Sequence, residues 1–449
     1  MIFSRTTRLK KAFILIGLIT GWGASLAQTN AVSPLTVFGI GDLSEGYFAQ
    51  NFGIGGTSIA VREPLYINIA NPASYSALEY TTLEVALSQR FIEQSVQATN
   101  QKLNNSSSYF NYFALGFKLK DWWGMSVSIS PYSFVGYSIF TTDSLADFGD
   151  VLYEFQGKGG INQAVFGNSF EIIKNFSVGI NVRYLFGSYD RSDAILFNNQ
   201  QFYNSKRLRT DGVSSFAFDY GLQYNLPLKN NLEMVFGATY ANQIDLKAVQ
   251  SSLNYSFIYN GSGIEVPVDT LSATIDQKGQ ISLPSKYGLG FSLGKKHPDW
   301  ASFAWMFNGE ITSTQWSNFR DFNGDNDGLK NSWRVSAGGY FVPLYAFSKQ
   351  KRAKSYFALI EYRLGGFYER TQLDLGNQPV LNYGATAGFG FPIAFRNLAP
   401  GEKKSTVINL GIVVGNKGSG QPDQLNERYA NLIFGITLGD QWFQKFKYR

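Results

Sequence analysis

From residue 81 onward the chain alternates apolar with small or polar residues in fourteen stretches. In the third, Met125, Val127 and Ile129 fall on one side, and Ser126, Ser128 and Ser130 on the other. Side chains of a strand alternate faces with period two, so each stretch reads as a strand with one apolar and one wettable face. The spacing predicts strands at 82–90, 109–118, 124–135, 161–173, 176–188, 215–224 and 232–240. It predicts seven more at 286–294, 300–312, 332–341, 356–367, 381–391, 407–415 and 429–438. The connections after even strands are short or basic. Those at 139–160, 189–214 and 241–285 are long and polar. An even strand count with short turns at one end and long loops at the other is the pattern of an outer-membrane barrel with periplasmic termini. The expected fold is all-β, a 14-stranded antiparallel transmembrane β-barrel.

Residues 28–80 lack this alternation. They carry Phe38-Gly39-Ile40-Gly41, then Gly53, Gly55 and Gly56, then Asn71, Pro72 and Ala73. Irregular backbone has no hydrogen-bond partners in lipid, whereas inside a barrel it can pair with lumen groups and water. The segment is therefore expected to be an N-terminal plug, or hatch, inside the lumen. The first 27 residues read as a secretory signal peptide. Arg5, Arg8, Lys10 and Lys11 precede an apolar run at 12–19, and Ser25 and Ala27 offer small residues for cleavage. The expected organisation is signal peptide 1–27, plug 28–80 and barrel 81–449.

Composition narrows the function. The signal segment carries four of 39 basic residues and none of the 33 acidic ones, which leaves 39 − 4 = 35 against 33, a net charge of +2. Such a balance gives no reason to expect a nucleic-acid partner. No stretch is long and apolar enough for a helical span. Zero cysteines exclude disulfides and thiol chemistry. Phe, Tyr and Trp make up 16% of the chain, which suits aromatic girdles. Trp122, Trp123, Trp300 and Trp442 fall at the expected periplasmic rim, Trp316 and Trp333 near the outer rim, and Trp305 mid-strand. Basic residues gather at the periplasmic turns: Lys295 and Lys296, 349–354, Lys403 and Lys404, and the C-terminus. Two readings stand side by side: contact with anionic inner-leaflet headgroups, or a solvated turn that resists aggregation.

A plug followed by fourteen strands resembles the FadL-like family of outer-membrane transporters for long-chain fatty acids and other hydrophobic compounds. The resemblance covers essentially the whole mature chain. It rests on the run from Gly53 through Gly55-Gly56-Thr57 to Asn71-Pro72-Ala73, similar to the family's hatch, and on Ser130-Pro131-Tyr132, where the family has a kink in the third strand. The closing residues 439–443 also look like the end of a FadL-like branch. The family's apolar capture groove has no counterpart in the outer loops here, which are rich in Asn, Ser and Asp. The resemblance implies a lateral opening at Pro131 and Tyr132, with Gly136 nearby, and a hydrophobic ligand.

The residues carry their own physics beside that resemblance. Proline has no N–H for the ladder and is confined to edges and bulges, so Pro131 must open an edge locally. Gly136 would let the strand bend. The competing reading is an ordinary bulge that curves the barrel. Asn71-Pro72 is by itself a turn signal. Within the glycine-rich segment it is expected to be a plug contact near the third strand.

Other constellations carry no chemistry. Residues 53–58 lack the flanking strand, helix and lysine of a phosphate loop. Asn323–Gly328 has the first oxygen positions of a calcium loop, but Arg334 stands where the bidentate glutamate belongs, and such clusters are also ordinary turns. His297, the single histidine, lies in a turn. Asp219, Glu310 and Glu361 share the inferred lumen face with Arg183, Arg334 and Arg363, and are expected to pair with those arginines and with the plug, since unpaired charges in a narrow lumen are costly. With no nucleophile, base and metal set, the chain is expected to be neither an enzyme nor a holder of cofactor or metal.

Two functions remain. One is a passive channel for hydrophobic molecules with lateral exit near the third strand. The other is a non-transporting barrel, a scaffold or accessory subunit of an outer-membrane secretion or assembly complex. The expected partners are outer-membrane lipids, a hydrophobic small-molecule ligand and, for the second function, other outer-membrane proteins.

Overall fold

The computed structural model describes residues 33–440, apart from 45, 147, 200, 297–302, 345–354 and 394–404. The signal segment, His297, Trp300, Trp442, the basic groups at 349–354, 403–404 and the C-terminus, and residues 441–443 lie outside the described residues.

Among the described residues, fourteen strands close one ring. They are β1 Thr81–Val96, β2 Gln101–Lys120, β3 Trp123–Leu145, β4 Gly149–Ile173, β5 Phe176–Phe197, β6 Asn204–Pro227 and β7 Leu232–Ala241. The others are β8 Lys286–Lys296, β9 Phe303–Thr314, β10 Ser332–Phe341, β11 Glu361–Leu375, β12 Gln378–Pro392, β13 Ser405–Gly418 and β14 Asn426–Asp440. Each pairs antiparallel with the next, and β14 closes on β1 from Asp440↔Thr81 to Asn426↔Ser95. All fourteen expected strands are present, and the sheet is the antiparallel barrel that the alternation implies.

The long connections are not open loops. Strands β3 to β6 extend to 22–25 residues and meet in tight turns, while β7 and β10 have only 10. Residues 244–283 form a separate hairpin, Ile244–Tyr259 with Glu265–Leu283, outside the ring. Its first strand pairs with the upper part of β6, from Asn204↔Phe257 to Val213↔Ala248. Ten residues at about 3.3 Å each suffice for the apolar layer when tilted, so the excess stands above it on one side. The polarity that reads as loop is the polarity of a solvated sheet. One start also differs: Tyr356–Leu359 is a 3-10 turn capped by Ser355, and β11 begins at Glu361.

The pleat sorts the faces as expected. Val127, Ile129, Phe166, Phe236, Phe291, Phe307, Leu410 and Phe434 are exposed on the outer wall, while Ser126, Ser128 and Ser130 are buried inside. A belt of such side chains is stable only against lipid, at about 25 cal/mol for each Å² kept from water. Trp122 and Trp333 sit on the outer surface, and Trp305 lies at the lower end of β9 opposite Lys295. Trp316 does not join a girdle. It is buried against Phe319 in an interior cluster with Leu35, Ile40 and Leu329, because the turn after β9 folds inward.

The described residues of the stretch 33–80 pack against side chains of the ring. Leu35 and Ile40 pack against Val135, Ile161 and Leu185 from β3, β4 and β5. Phe48, Phe52, Ile67, Tyr75 and Leu78 pack against Tyr112, Val413 and Ile433 from β2, β13 and β14, and the Phe48 and Tyr112 rings stack at 3.7 Å.

Candidate functional site

The inner segment is stapled to the wall by the residues that the sequence singles out. Gly53 follows a short helix, Ala49–Phe52, and its carbonyl accepts from Thr386 Oγ1 at 3.0 Å. The Gly55 N–H donates back to the same oxygen at 2.8 Å. Gly55 has φ +77° and its ideal Cβ would lie 2.7 Å from the Ala337 and Gly366 carbonyls, so only glycine fits. The Gly56 N–H closes the turn onto Asn51 O at 3.0 Å. Asn71 caps the 3-10 turn Pro72–Ala77 by accepting from Ala73 N at 3.1 Å, and its Nδ2 donates to Ile59 O at 2.7 Å and to Leu222 O at 3.1 Å. The Ala73 carbonyl accepts from Ser169 Oγ at 2.8 Å.

This turn seats mainly on β4, β5 and β6 and also touches the third strand, as expected. The approach to β3 falls to Tyr75, whose carbonyl comes within 1.9 Å of where a Cβ on Gly124 would stand. The sequence gives the turn but not its seat, because its partners are inward glycines, Gly179 and Gly221, that look like any small residue of a strand.

The lumen charges are committed as their spacing suggests. Arg183 pairs with Asp219. Arg363 pairs with Glu361 at 3.0 Å and also donates to Tyr66 Oη at 3.1 Å. Glu310 accepts from the Ser58 and Ile59 amides at 2.6 and 2.9 Å. Arg334 donates to Gly55 O at 3.3 Å and lies 3.7 Å from Glu369. At the periplasmic end Lys296 pairs with Glu233 at 2.5 Å, which uses its charge within the wall. In the outer turn the Asp321 carboxylate accepts from the Asn323 and Asp325 amides, and Asp327 accepts from Gly39 N. These carboxylates serve the turn and the inner segment.

Low in the inner segment, burial pushes the Glu63 carboxyl up to about 8 from its ordinary value near 4.5, although Tyr340 Oη donates to it. Between these values the unfolded chain holds an ionised Glu63 and the folded one a protonated Glu63. Stability is therefore expected to fall as pH rises from about 4.5 to about 8, and to change no further from this group above that. Glu63→Gln is expected to make this slope shallower, measured as the urea midpoint of the detergent-solubilised barrel from pH 5 to 9.

The wall itself is interrupted between β2 and β3. Their ladder runs only from Lys120↔Trp123 to Phe113↔Ile129. Above it, residues 101–112 of β2 pair with β1 alone, and β3 turns to β4. Pro131 sits at the break, with a bulge between Pro131↔Asn162 and Ser133↔Ile161. Tyr132 O accepts from Ser44 N at 2.9 Å. Gly136 does not bend the strand. It pairs regularly with Lys158, and its N–H and carbonyl bond Thr36 Oγ1 and Ser33 N. The unusual backbone lies on the neighbouring strands instead, at Gly159 with φ +106° and Gly187 with φ +137°. Across the gap the rings of Tyr109 and Phe134 stand 5.2 Å apart. Both line a cavity of about 300 Å³ above the inner segment, which is also walled by Ile59, Ile69 and Val165 and by the charged pairs Arg183–Asp219 and Arg334–Glu369.

A family model described as BamG matches residues 9–449. The chain belongs to the BamG family. No curated protein matches it. Among solved structures it is similar to the toluene transporter TodX of P. putida, with 15% identity over 90% of this chain and 100% of that one at a TM-score of 0.58. It is also similar to the toluene transporter TbuX of Ralstonia pickettii, with 14% identity over 89% and 99% at 0.54. A FadL homologue of Pseudomonas aeruginosa gives 13% identity over 88% and 98% at 0.52. At such identities the likeness is one of fold. This BamG-family chain shares the barrel fold of these FadL-type transporters.

Proposed function

We propose that this BamG-family chain is a passive outer-membrane channel for small hydrophobic molecules. A ligand enters the cavity from outside and leaves sideways into the bilayer between β2 and β3, with residues 33–80 acting as the plug that blocks bulk flow. The observation that carries this reading is the missing ladder above Phe113↔Ile129, in a wall otherwise paired all round. Pro131, Tyr132 and Gly136 form one lip of the gap, and the Tyr109–Phe134 ring pair lies across it. A gap bordered by aromatic rings and open to a lumen cavity gives an apolar molecule a path that avoids bulk water. TodX and TbuX, which share the fold, are described as toluene transporters.

The test uses the absence of cysteine from the sequence. A Tyr109→Cys/Phe134→Cys variant in proteoliposomes is expected to take up labelled toluene when reduced, and to fall to the level of protein-free vesicles when the two lips are joined by oxidation. Uptake that ignores the oxidation state would overturn the lateral route, and none under any condition would overturn transport.

A second reading, an accessory subunit of an outer-membrane assembly or secretion complex, is favoured by the charge-lined cavity and the many hydrogen bonds that fix the inner segment. It predicts a stable complex in mild-detergent pulldown together with no uptake.

A further inference from the structure

The hairpin outside the ring has an unusual outer strand. Glu265–Leu283 pairs with Ile244–Tyr259 on one side, and on the other the described residues give it a single bridge, Ser282↔Arg320. Three times its register slips. Val268 drops out of the ladder between Pro267↔Phe257 and Asp269↔Ser256, and Leu271 between Thr270↔Tyr255 and Ser272↔Asn254. Ile275 and Asp276 drop out between Thr274↔Ser252 and Gln277↔Gln250. A bulge bends its strand and re-aims the extra side chain. Each slip here releases one large apolar residue, and the three are 45%, 58% and 79% exposed. Ile275 is the most exposed large apolar side chain among the described residues.

The apolar layer does not reach them. Ser251, opposite the third bulge, shares a row with Thr210, Asp190 and Lys158 on the next three strands. A further strand is also a poor fit, because bulges, proline and charge are what sheets use to keep an edge from pairing, and Pro267, Asp269 and Asp276 add the last two. What is left is a line of apolar side chains three or four strand residues apart, about 10 Å at each step. An α-helix repeats one face every seven residues, about 10.5 Å. Charge narrows the occupant further. From 265 to 277 the strand carries three acids and no base. Lys206 and Tyr255 occupy Glu265, which leaves Asp269 and Asp276 beside the apolar line.

We propose that this edge docks an amphipathic helix of a partner protein at the cell surface, with Lys or Arg flanking its apolar face. The inference rests on the accessory-subunit reading, to which it gives a contact surface, and asks nothing of the gap or the cavity. Laying an apolar helix face on exposed anchors is a recurrent mode of recognition, and the acids would select among such helices.

The test places the photo-cross-linker benzoylphenylalanine at Thr274, an exposed position between Leu271 and Ile275, in the full chain in the outer membrane of its own cells. The expected product joins it to a segment of another protein with apolar residues three and four apart and Lys or Arg beside them. Leu271→Asp/Ile275→Asp is expected to cut the yield at least about tenfold, the scale of losing central interface anchors. Asp269→Lys is expected to cut it several-fold and Asp269→Asn less, while every variant keeps the heat-modifiable migration of a folded barrel. No product, a product with lipopolysaccharide, with a second copy of this chain or with an extended segment, or a yield indifferent to the apolar substitutions would overturn the docking edge. If the edge fails while a complex still survives mild detergent, the accessory-subunit reading stands without it. If no complex survives, both fall.

Discussion

Gly179→Val is expected to unseat the Asn71–Ala73 turn while leaving the barrel closed. An ideal Cβ at Gly179 would lie 2.4 Å from the Pro72 carbonyl carbon and 2.5 Å from Ala73 N. These are backbone atoms of a turn fixed by the Asn71 cap, so no side-chain rotation relieves the clash. Gly221, its cross-strand partner, stands equally close, with a Cβ site 2.0 Å from Asn71 Oδ1. Valine suits the strand itself, so the ladder from β5 to β6 should survive. Overpacking of this kind costs about 1–3 kcal/mol, and here it falls entirely on the contact between wall and inner segment. The expected readout is heat-modifiable migration of a folded barrel together with a higher single-channel conductance. An unchanged conductance would show that the seat is not what holds the segment.

Glu310→Ala is expected to loosen the same segment from the other side. Its carboxylate is the acceptor for the Ser58 and Ile59 amides, and both residues are buried. Truncation leaves two N–H groups without a partner, at about 1–3 kcal/mol each. Glu310→Gln keeps an acceptor oxygen and is expected to lose roughly half as much. Protease cleavage within residues 53–62 of the detergent-solubilised barrel, fast in the alanine variant and intermediate in the glutamine one, is the measurement. Equal protection in all three chains would mean that these amides are satisfied elsewhere.

The architecture was legible because lipid imposes a period on every strand. Val127 and Ile129 against Ser128 and Ser130 already place the wall, and each of the fourteen stretches corresponds to a strand. Strand length was less legible: in the extensions of β3 to β6 polar side chains such as Lys158, Asp190 and Thr210 stand where the membrane strands carry apolar ones, so the alternation that marks a membrane strand fades at 139–160 and 189–214. Pro131 announced a break, since a missing N–H is visible in one letter. Gly136 is where the sequence allows the strand to bend, but the unusual φ values belong to Gly159 and Gly187, and nothing in a lone glycine says which way its backbone turns. The pairing of Asp219 with Arg183 followed from charge and face, whereas the meeting of Asp42 with Arg90 and Lys417 joins distant parts of the chain that no local pattern links.

The ring closes where the first barrel strand meets the last, from Asp440↔Thr81 upward, so its final seam waits for nearly the whole polypeptide. Contacts of such sequence separation form slowly. Residues 33–80 precede every wall strand in the chain, and they touch both sides of that seam, Ile67 N bonding Glu84 on β1 and Phe52 packing with Ile433 on β14. The inner segment is thus placed to act as a mandrel during assembly, a form around which the sheet is wrapped and its two ends brought into register.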